Sequence, residues 1–201
     1  MIFVPSRGRR AGIERFFKEC NPSLPGRVLI DEDDRSYDDM SLPDGWEFFV
    51  RPRDKTTVII NRAFHEFPKE PFYAVVGDDM MCKPPDWDLE LAQSCGSKCV
   101  SWGDDGRWGS KLCPSFFVGG DLVRHMGWLV HPMFGHLYGD TVWWMIARGA
   151  GIARYRPDIT IHHYNVKDKT YLERQVRGDH EAFEYLRTEG MSRLISKASK
   201  L

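Results

Sequence analysis

The most constraining feature of this chain is the run Phe72-Tyr73-Ala74-Val75-Val76, closed by Gly77 and two adjacent carboxylates, Asp78 and Asp79. A near-continuous apolar segment of this length reads as a strand buried on both faces, which requires helices above and below it. Ile2-Phe3-Val4 and Val28-Leu29-Ile30 read as further strands, the second ending in Asp31, and Trp46 to Val50 as another, halted by Arg51-Pro52. Between them Ile13, Phe16, Phe17 and Cys20, and later Ile60, Ala63, Phe64 and Phe67, recur at i, i+3, i+4, i+7, the spacing of helices with one apolar face. Prolines 22, 25, 68 and 71 end those helices. The alternation makes the chain α/β, one domain with a mostly parallel central sheet flanked by helices. A ligand is expected beyond the carboxyl ends of the strands.

The pattern loosens afterwards. Cys99 to Trp102 and Ser115 to Val118 read as strands separated by an exposed, mobile loop, Gly103 to Gly109, rich in glycine and charge. Asp140 to Arg148 reads as a helix with Val142, Met145 and Ile146 inward, and Ile159 to Ile161 as a last short strand running into His162-His163. From Asp168 onward the chain is helical in character, with Leu172, Val176, Phe183 and Leu186 as its inner face. Basic residues there, such as Arg174, Arg193 and Lys197, are interleaved with acids, the mark of a solvated helix face.

Composition narrows the function classes. A length of 201 residues suits one sizeable core, and 28 basic against 29 acidic residues leave a net charge of -1 that calls for neither a nucleic-acid nor a membrane partner. The apolar opening Met1 to Val4 is cut by Pro5 and Arg7, and no later stretch is long enough to span a bilayer, so a cytoplasmic protein without a membrane span is expected. Five cysteines is an odd number, and Cys95, Cys99 and Cys113 lack the spacing of a zinc site, so free thiols are expected.

The chemistry concentrates at the strand ends. Two adjacent carboxylates repel by roughly 1–4 kcal/mol across water-like to surface-like dielectrics. A divalent cation relieves that repulsion, and hard cations such as Mn2+ or Mg2+ keep several waters and share the rest of their shell with substrate phosphates. A solvated Asp-Asp turn is the plain alternative. Three other segments bear on the choice: Val4-Pro5-Ser6-Arg7-Gly8-Arg9 after the first strand, Asp31 to Asp34 after the second, and Leu137-Tyr138-Gly139-Asp140-Thr141 opening a helix. A fourth, Tyr155 to Asn165, carries the two histidines.

In this order the segments resemble the GT-A glycosyltransferases, in particular family 2-like enzymes and their short phage and bacterial relatives, over about residues 2 to 165. The resemblance implies a GT-A-like domain over residues 1–165, with 166–201 as a helical extension packed on the same domain. It implies that Pro5 and Arg7 lie near the nucleotide base and ribose, that Asp31 hydrogen-bonds the base, and that Arg51 and Asn61 touch the donor. Gly77-Asp78-Asp79 resembles the metal-binding D-x-D motif, although Met80 stands in its third position. Asp79 is then the metal ligand and Asp78 lies nearer the ribose or a metal-bound water. His163 resembles the late histidine ligand, with His162 as the one-residue alternative, and Asp140 the base of inverting members.

The implied activity is metal-dependent transfer of a sugar from a nucleotide-sugar donor, a UDP-sugar by default, to an acceptor hydroxyl. The acceptor stays open between a glycan, a lipid carrier, a protein and a modified base in phage DNA. A nucleotidyltransferase making nucleotide sugars and a non-catalytic nucleotide- or glycan-binding module are the alternatives. Each residue also has a plainer reading: Arg7 as a surface arginine, Asp140 as a helix N-cap, and Trp128, Trp143 and Trp144 as core or groove walls. Arg107 and Trp108 would ride on a loop closing over the donor.

Overall fold

Every residue of Ile2-Phe3-Val4 is wholly buried, with Ile2 and Val4 in one core and Phe3 in another, so this strand carries a helical layer on each face. Burial stabilises such side chains by about 1.5–3 kcal/mol each, which pins the strand in its central place. In the computed structural model, which describes residues 1–164 and 177–201, the strand is β1 (Ile2–Pro5). It lies between β2 (Gly26–Asp31) and β4 (Phe72–Val75), parallel to both, and β3 (Trp46–Arg51) extends the sheet beyond β2. Helix α1 (Arg10–Cys20) joins β1 to β2, and α2 (Thr56–Glu66) joins β3 to β4. Ile13, Phe16 and Cys20 of α1 pack on the Ile2 face, while Ile59, Ile60, Ala63 and Phe64 of α2 pack on the Phe3 face.

The second half is mixed. It comprises β5 (Met80–Lys83), α3 (Trp87–Cys95), β6 (Val100–Asp104), β7 (Phe116–Gly119), α4 (Gly120–Met126), α5 (Gly139–Gly149) and β8 (Ala153–His163). Among the described residues the sheet has eight strands in the order β3-β2-β1-β4-β7-β6-β8-β5, and four of its seven pairings are parallel. Helix α6 (Arg177–Tyr185), a π-helical turn over 186–190 and α7 (Met191–Ala198) close the chain, burying Leu186, Met191 and Ala198 in the core shared with α2, α4 and α5. Phe183 packs against the same core. Leu172, Val176 and Arg174 lie outside the described residues.

Several departures from the sequence reading have clear causes. β5 and α3 were not anticipated: β5 is only four residues long, and the only apolar row that α3 buries is Trp87, Leu91 and Cys95, with the buried Asp88 and the partly buried Glu90 breaking the pattern. β8 spans eleven residues instead of three, because Arg154, Arg156 and Asp158 hide its alternation and a register shift against β6 falls at Gly103/Asp104. Gly103 is a strand residue, not loop: a Cβ there would lie 2.5 Å from the Ile159 carbonyl oxygen of β8. The turn that follows is pinned, since the buried Asp105 carboxylate accepts the N–H groups of Arg107, Trp108 and Gly109. The five cysteines are free thiols, and no described helix is long and apolar enough to cross a membrane.

At the β7–α4 junction another segment's backbone packs closely against a glycine of the sheet. A Cβ on Gly119 would lie 2.1 Å from the Ser97 carbonyl carbon. Gly119→Ala must push that turn away, so it should destabilise the fold by at least about 1–3 kcal/mol. The denaturation midpoint reads this directly; an unchanged midpoint would mean the Ser97 turn is not held against β7.

Candidate functional site

The carboxyl ends of β1, β2 and β4 lie side by side, so the residues just after them share one mouth. Asp78 follows β4 and is 4% exposed. Ser6 donates its hydroxyl to Asp78 Oδ2 at 2.6 Å, and the Arg9 guanidinium donates to Oδ1 at 3.0 Å. Behind Ser6 stands Tyr37, its hydroxyl 2.7 Å away and itself receiving the Arg9 backbone N–H at 3.1 Å. Burial pushes the Asp78 pKa up, and the Ser6 and Arg9 contacts oppose that shift. An arginine and a serine thus make a buried carboxylate tolerable.

Arg7 spans Asp31 and Asp33, donating Nη1 to Asp31 Oδ2 and, at 2.8 Å, to Asp33 Oδ1. The other oxygen of Asp31, Oδ1, is buried without a hydrogen-bond partner among the described residues. Leaving such an acceptor unsatisfied costs about 1–3 kcal/mol, which a ligand N–H or O–H would recover. Asp31 and Asp78 both line a pocket of about 520 Å³, together with Pro5, Ser6, Arg7 and Arg9 from the β1 loop. Its far wall comes from Arg53 to Thr56 at the start of α2 and from Gly135 and His136. Four basic side chains (Arg7, Arg9, Arg53, Lys55) and three carboxylates (Asp31, Asp54, Asp78) line it, a balance suited to a phosphorylated ligand of nucleotide size.

Asp79 sits one residue beyond this pocket's lining and is 7% exposed. β5 starts immediately after it and pairs antiparallel with the end of β8, Met80 opposite His163. The Tyr164 N–H closes the same corner by donating to the Asp79 carbonyl at 2.9 Å. His163 Nε2 therefore comes to 3.1 Å from Asp79 Oδ1, while Arg9 Nη1 lies 3.9 Å from Oδ2. His162 points to the other side of the strand, where its ring meets Tyr164 edge-on at 5.5 Å.

The Asp79–His163 pair fits a shared divalent cation. Ligand bonds of about 2.1 Å at a right angle separate two donor atoms by about 3.0 Å, close to the 3.1 Å observed. Among the described residues no group of three His, Cys, Asp or Glu could hold an ion. Two protein ligands suit Mn2+ or Mg2+, which draw further ligands from water and phosphate, better than they suit a structural zinc.

Asp140 lies in the first turn of α5 and is not its N-cap; that position is Tyr138, in the left-handed region at φ 69°. The N-cap alternative for Asp140 is thus corrected, the cap falling two residues earlier: the Asp140 Oδ1 instead takes the N–H of Thr141 at 2.6 Å and the Thr141 hydroxyl at 3.2 Å. Burial pushes its pKa up, against those Thr141 bonds and the nearby His163.

Of the residues singled out from sequence, Pro5, Arg7, Asp31 and Asp78 meet in one pocket, and Asp79 and His163 pair beside it. Arg51 and Asn61 lie outside the pocket lining. Arg51 is held by Glu66 and stacks over Phe49 at 4.0 Å. Asn61 braces a turn: its Oδ1 accepts the N–H groups of Leu129 and Val130, and its Nδ2 donates to the Val130 carbonyl at 2.7 Å. Tyr37, Arg53, Lys55 and His136 were not foreseen as site residues. Only Arg53 and Lys55 carried a signal, a charged loop directly after a parallel strand.

No protein-family model and no curated protein matches the chain in sequence, but solved structures do match in shape. The mannosyltransferase PcManGT from Pyrobaculum calidifontis, in complex with GDP-Man and Mn2+, superposes with a TM-score of 0.59 at 10% identity, over 99% of this chain and 72% of that one. GalNAc-T7 with UDP, GalNAc and Mn2+ gives 0.61 at 9% identity, over 99% and 54%. The glycosyltransferase GlyE of Streptococcus pneumoniae gives 0.50 at 11%, over 98% and 62%. The chain has a GT-A-like glycosyltransferase fold. It spans little more than half the length of GalNAc-T7.

Within this GT-A-like frame Arg9 compensates the acidic pair. Arg9→Ala should destabilise by up to about 3–5 kcal/mol, the cost of stranding a buried charge. Asp78→Asn in the same chain should restore much of that loss, because the charge needing compensation is gone. Melting temperatures of the two single variants and the double variant decide it; losses that simply add would show that Arg9 and Asp78 act independently.

Proposed function

We propose that the chain is a glycosyltransferase that moves a sugar from a nucleotide-sugar donor to an acceptor hydroxyl with inversion, using Mn2+ or Mg2+ held by Asp79 and His163. The observation that carries the reading is the 3.1 Å approach of Asp79, in the turn between β4 and β5, to His163 at the end of β8, beside a cation-rich pocket. The Mn2+-bound, nucleotide-carrying structures of similar shape support it. A bound divalent cation would supply neutralisation of the charge that grows on the departing diphosphate.

The chain's own residues do the rest. Asp31, with one buried oxygen unpaired among the described residues, accepts a hydrogen bond from the base or ribose, and Arg7 holds its other oxygen in place. Asp78, fixed by Ser6 and Arg9, orients the ribose side of the donor. Arg53 and Lys55 favour the anionic diphosphate electrostatically. Thr141 occupies Asp140 Oδ1 and so leaves Oδ2 for the acceptor hydroxyl. As the acceptor oxygen bonds to the anomeric carbon, its proton passes to Asp140 and the bond to the diphosphate breaks, its electron pair leaving with the nucleotide. A burial-raised pKa makes Asp140 a better proton acceptor than an ordinary surface carboxylate.

A UDP-sugar remains the favoured donor, and the acceptor stays a glycan, lipid carrier, protein or modified DNA base. Five free thiols fit a reducing compartment, which supports a cytoplasmic setting. The extension of the same domain proposed over residues 166–201 is helical from Arg177 onward, and residues 165–176 lie outside the described residues.

Asp140→Asn separates chemistry from binding. It keeps the shape and an oxygen for Thr141 but loses the base, so transfer should fall by roughly 10²–10⁴ while calorimetric affinity for UDP with Mn2+ holds. Near-normal transfer would remove Asp140 from the mechanism. Asp79→Ala should abolish the Mn2+ dependence of UDP binding without unfolding the chain; unchanged Mn2+ dependence would remove the metal from Asp79.

A further inference from the structure

The far wall of the pocket is built on a carboxylate that does not line it. Asp179 of α6 is 4% exposed, and three consecutive backbone N–H groups converge on it: Gly135 donates to Oδ1 at 2.6 Å, and His136 and Leu137 donate to Oδ2 at 2.8 Å each. Successive N–H groups aimed at one point form an anion-binding nest, and here the anion comes from the chain itself. Burial opposes the charge, but these three bonds hold the Asp179 pKa below its ordinary value, so the carboxylate is ionised at neutral pH.

The same short turn is gripped from the other side by α2. The Thr57 N–H donates to the Gly135 carbonyl at 3.3 Å, the Thr57 hydroxyl to the Phe134 carbonyl, and the Thr56 hydroxyl lies 3.0 Å from His136 Nδ1. Thr56, Gly135 and His136 all line the pocket. α6 is fastened once more just downstream, where Phe183 stacks on Tyr138 with ring centroids 4.2 Å apart and planes 2° from parallel, and His180 Nδ1 meets the Tyr138 hydroxyl. Tyr138 precedes the first turn of α5, which carries Asp140.

We infer that Asp179 is a positioning residue for the donor pocket: its carboxylate locks the 135–137 turn so that His136 stands in the pocket wall. No described residue of α6 lines the pocket, yet α6 thereby sets the affinity for the ligand inside it. This rests on the reading that the pocket takes the nucleotide of the donor. The predicted consequence is a binding defect that runs through His136, which a merely structural salt link would not give.

The test uses the full chain with UDP and with GDP, each in the presence of Mn2+, in wild type, Asp179→Ala, Asp179→Asn, His136→Ala and the Asp179→Ala/His136→Ala double variant. Asp179→Asn keeps the size and one acceptor oxygen, and serves if the alanine variant fails to fold. Amide exchange at 135–137 should accelerate in both Asp179 variants, and Kd for the bound nucleotide should rise by between about 10- and 100-fold, the range typical of lost outer-shell partners. In the His136→Ala background the Asp179→Ala effect should shrink to within about twofold, because the two residues act as one unit. Unchanged exchange at 135–137 overturns the lock. Faster exchange with nucleotide affinity unchanged, or effects of the two substitutions that simply add, overturns its role in the pocket. Wild type that binds neither nucleotide overturns the donor reading and the positioning role with it, whereas tight wild-type binding that survives in the Asp179 variants overturns the positioning role alone.

Discussion

Two carboxylates side by side at the end of a central strand are the constraint on which the rest depends. Asp78 and Asp79 are almost wholly buried, and burying even one uncompensated carboxylate costs several kcal/mol. The fold meets that cost from three directions. The β1 loop sends Ser6 and Arg9 to Asp78, Tyr37 after β2 supports Ser6, and β8 sends His163 to Asp79. None of these groups is adjacent in sequence, so the acidic pair can exist only where the strand ends already converge.

That convergence explains why the sheet changes character at β4. On one side β1, β2 and β3 run parallel, and their carboxyl ends form a pocket whose cations outnumber its acids. On the other side the chain reverses, and β5 pairs antiparallel with the end of β8. This four-residue strand is what sets His163 against Asp79; slipping the pairing by one residue would offer His162 instead. The proposed nucleotide and metal sites therefore belong to different halves of one sheet, and the Asp78-Asp79 step joins them.

The first half of the chain was legible because its signals are local. Apolar runs of three to five residues gave β1, β2 and β4, and helical spacing gave α1 and α2. The strand-end positions of Arg7, Asp31 and Asp78 then followed, and all three meet in the pocket. What escaped were choices made by distant partners. Arg51 stands at a strand end like the others, but Glu66 of α2 takes its guanidinium, and Asn61 spends both ends of its amide on the 129–130 turn. β5 is too short to show a period, and Arg154, Arg156 and Asp158 mask that of β8. The Gly103 to Gly109 segment looked mobile from its composition, yet Gly103 is there to let β8 approach and Asp105 ties the turn down. Asp179 gave no signal, since an acid in an amphipathic helix is ordinary until the turn it caps is known.

Everything in the proposed chemistry turns on Asp79 and His163 jointly holding a divalent cation beside a bound nucleotide. Pulsed electron paramagnetic resonance of Mn2+ added to the wild-type chain with UDP tests it without any turnover assay. The expected result is a bound Mn2+ signal coupled to one imidazole nitrogen and to diphosphate phosphorus, with the nitrogen coupling lost in His163→Ala and kept in His162→Ala. A bound signal with phosphorus coupling but no nitrogen coupling, or no bound Mn2+ at all, would contradict it.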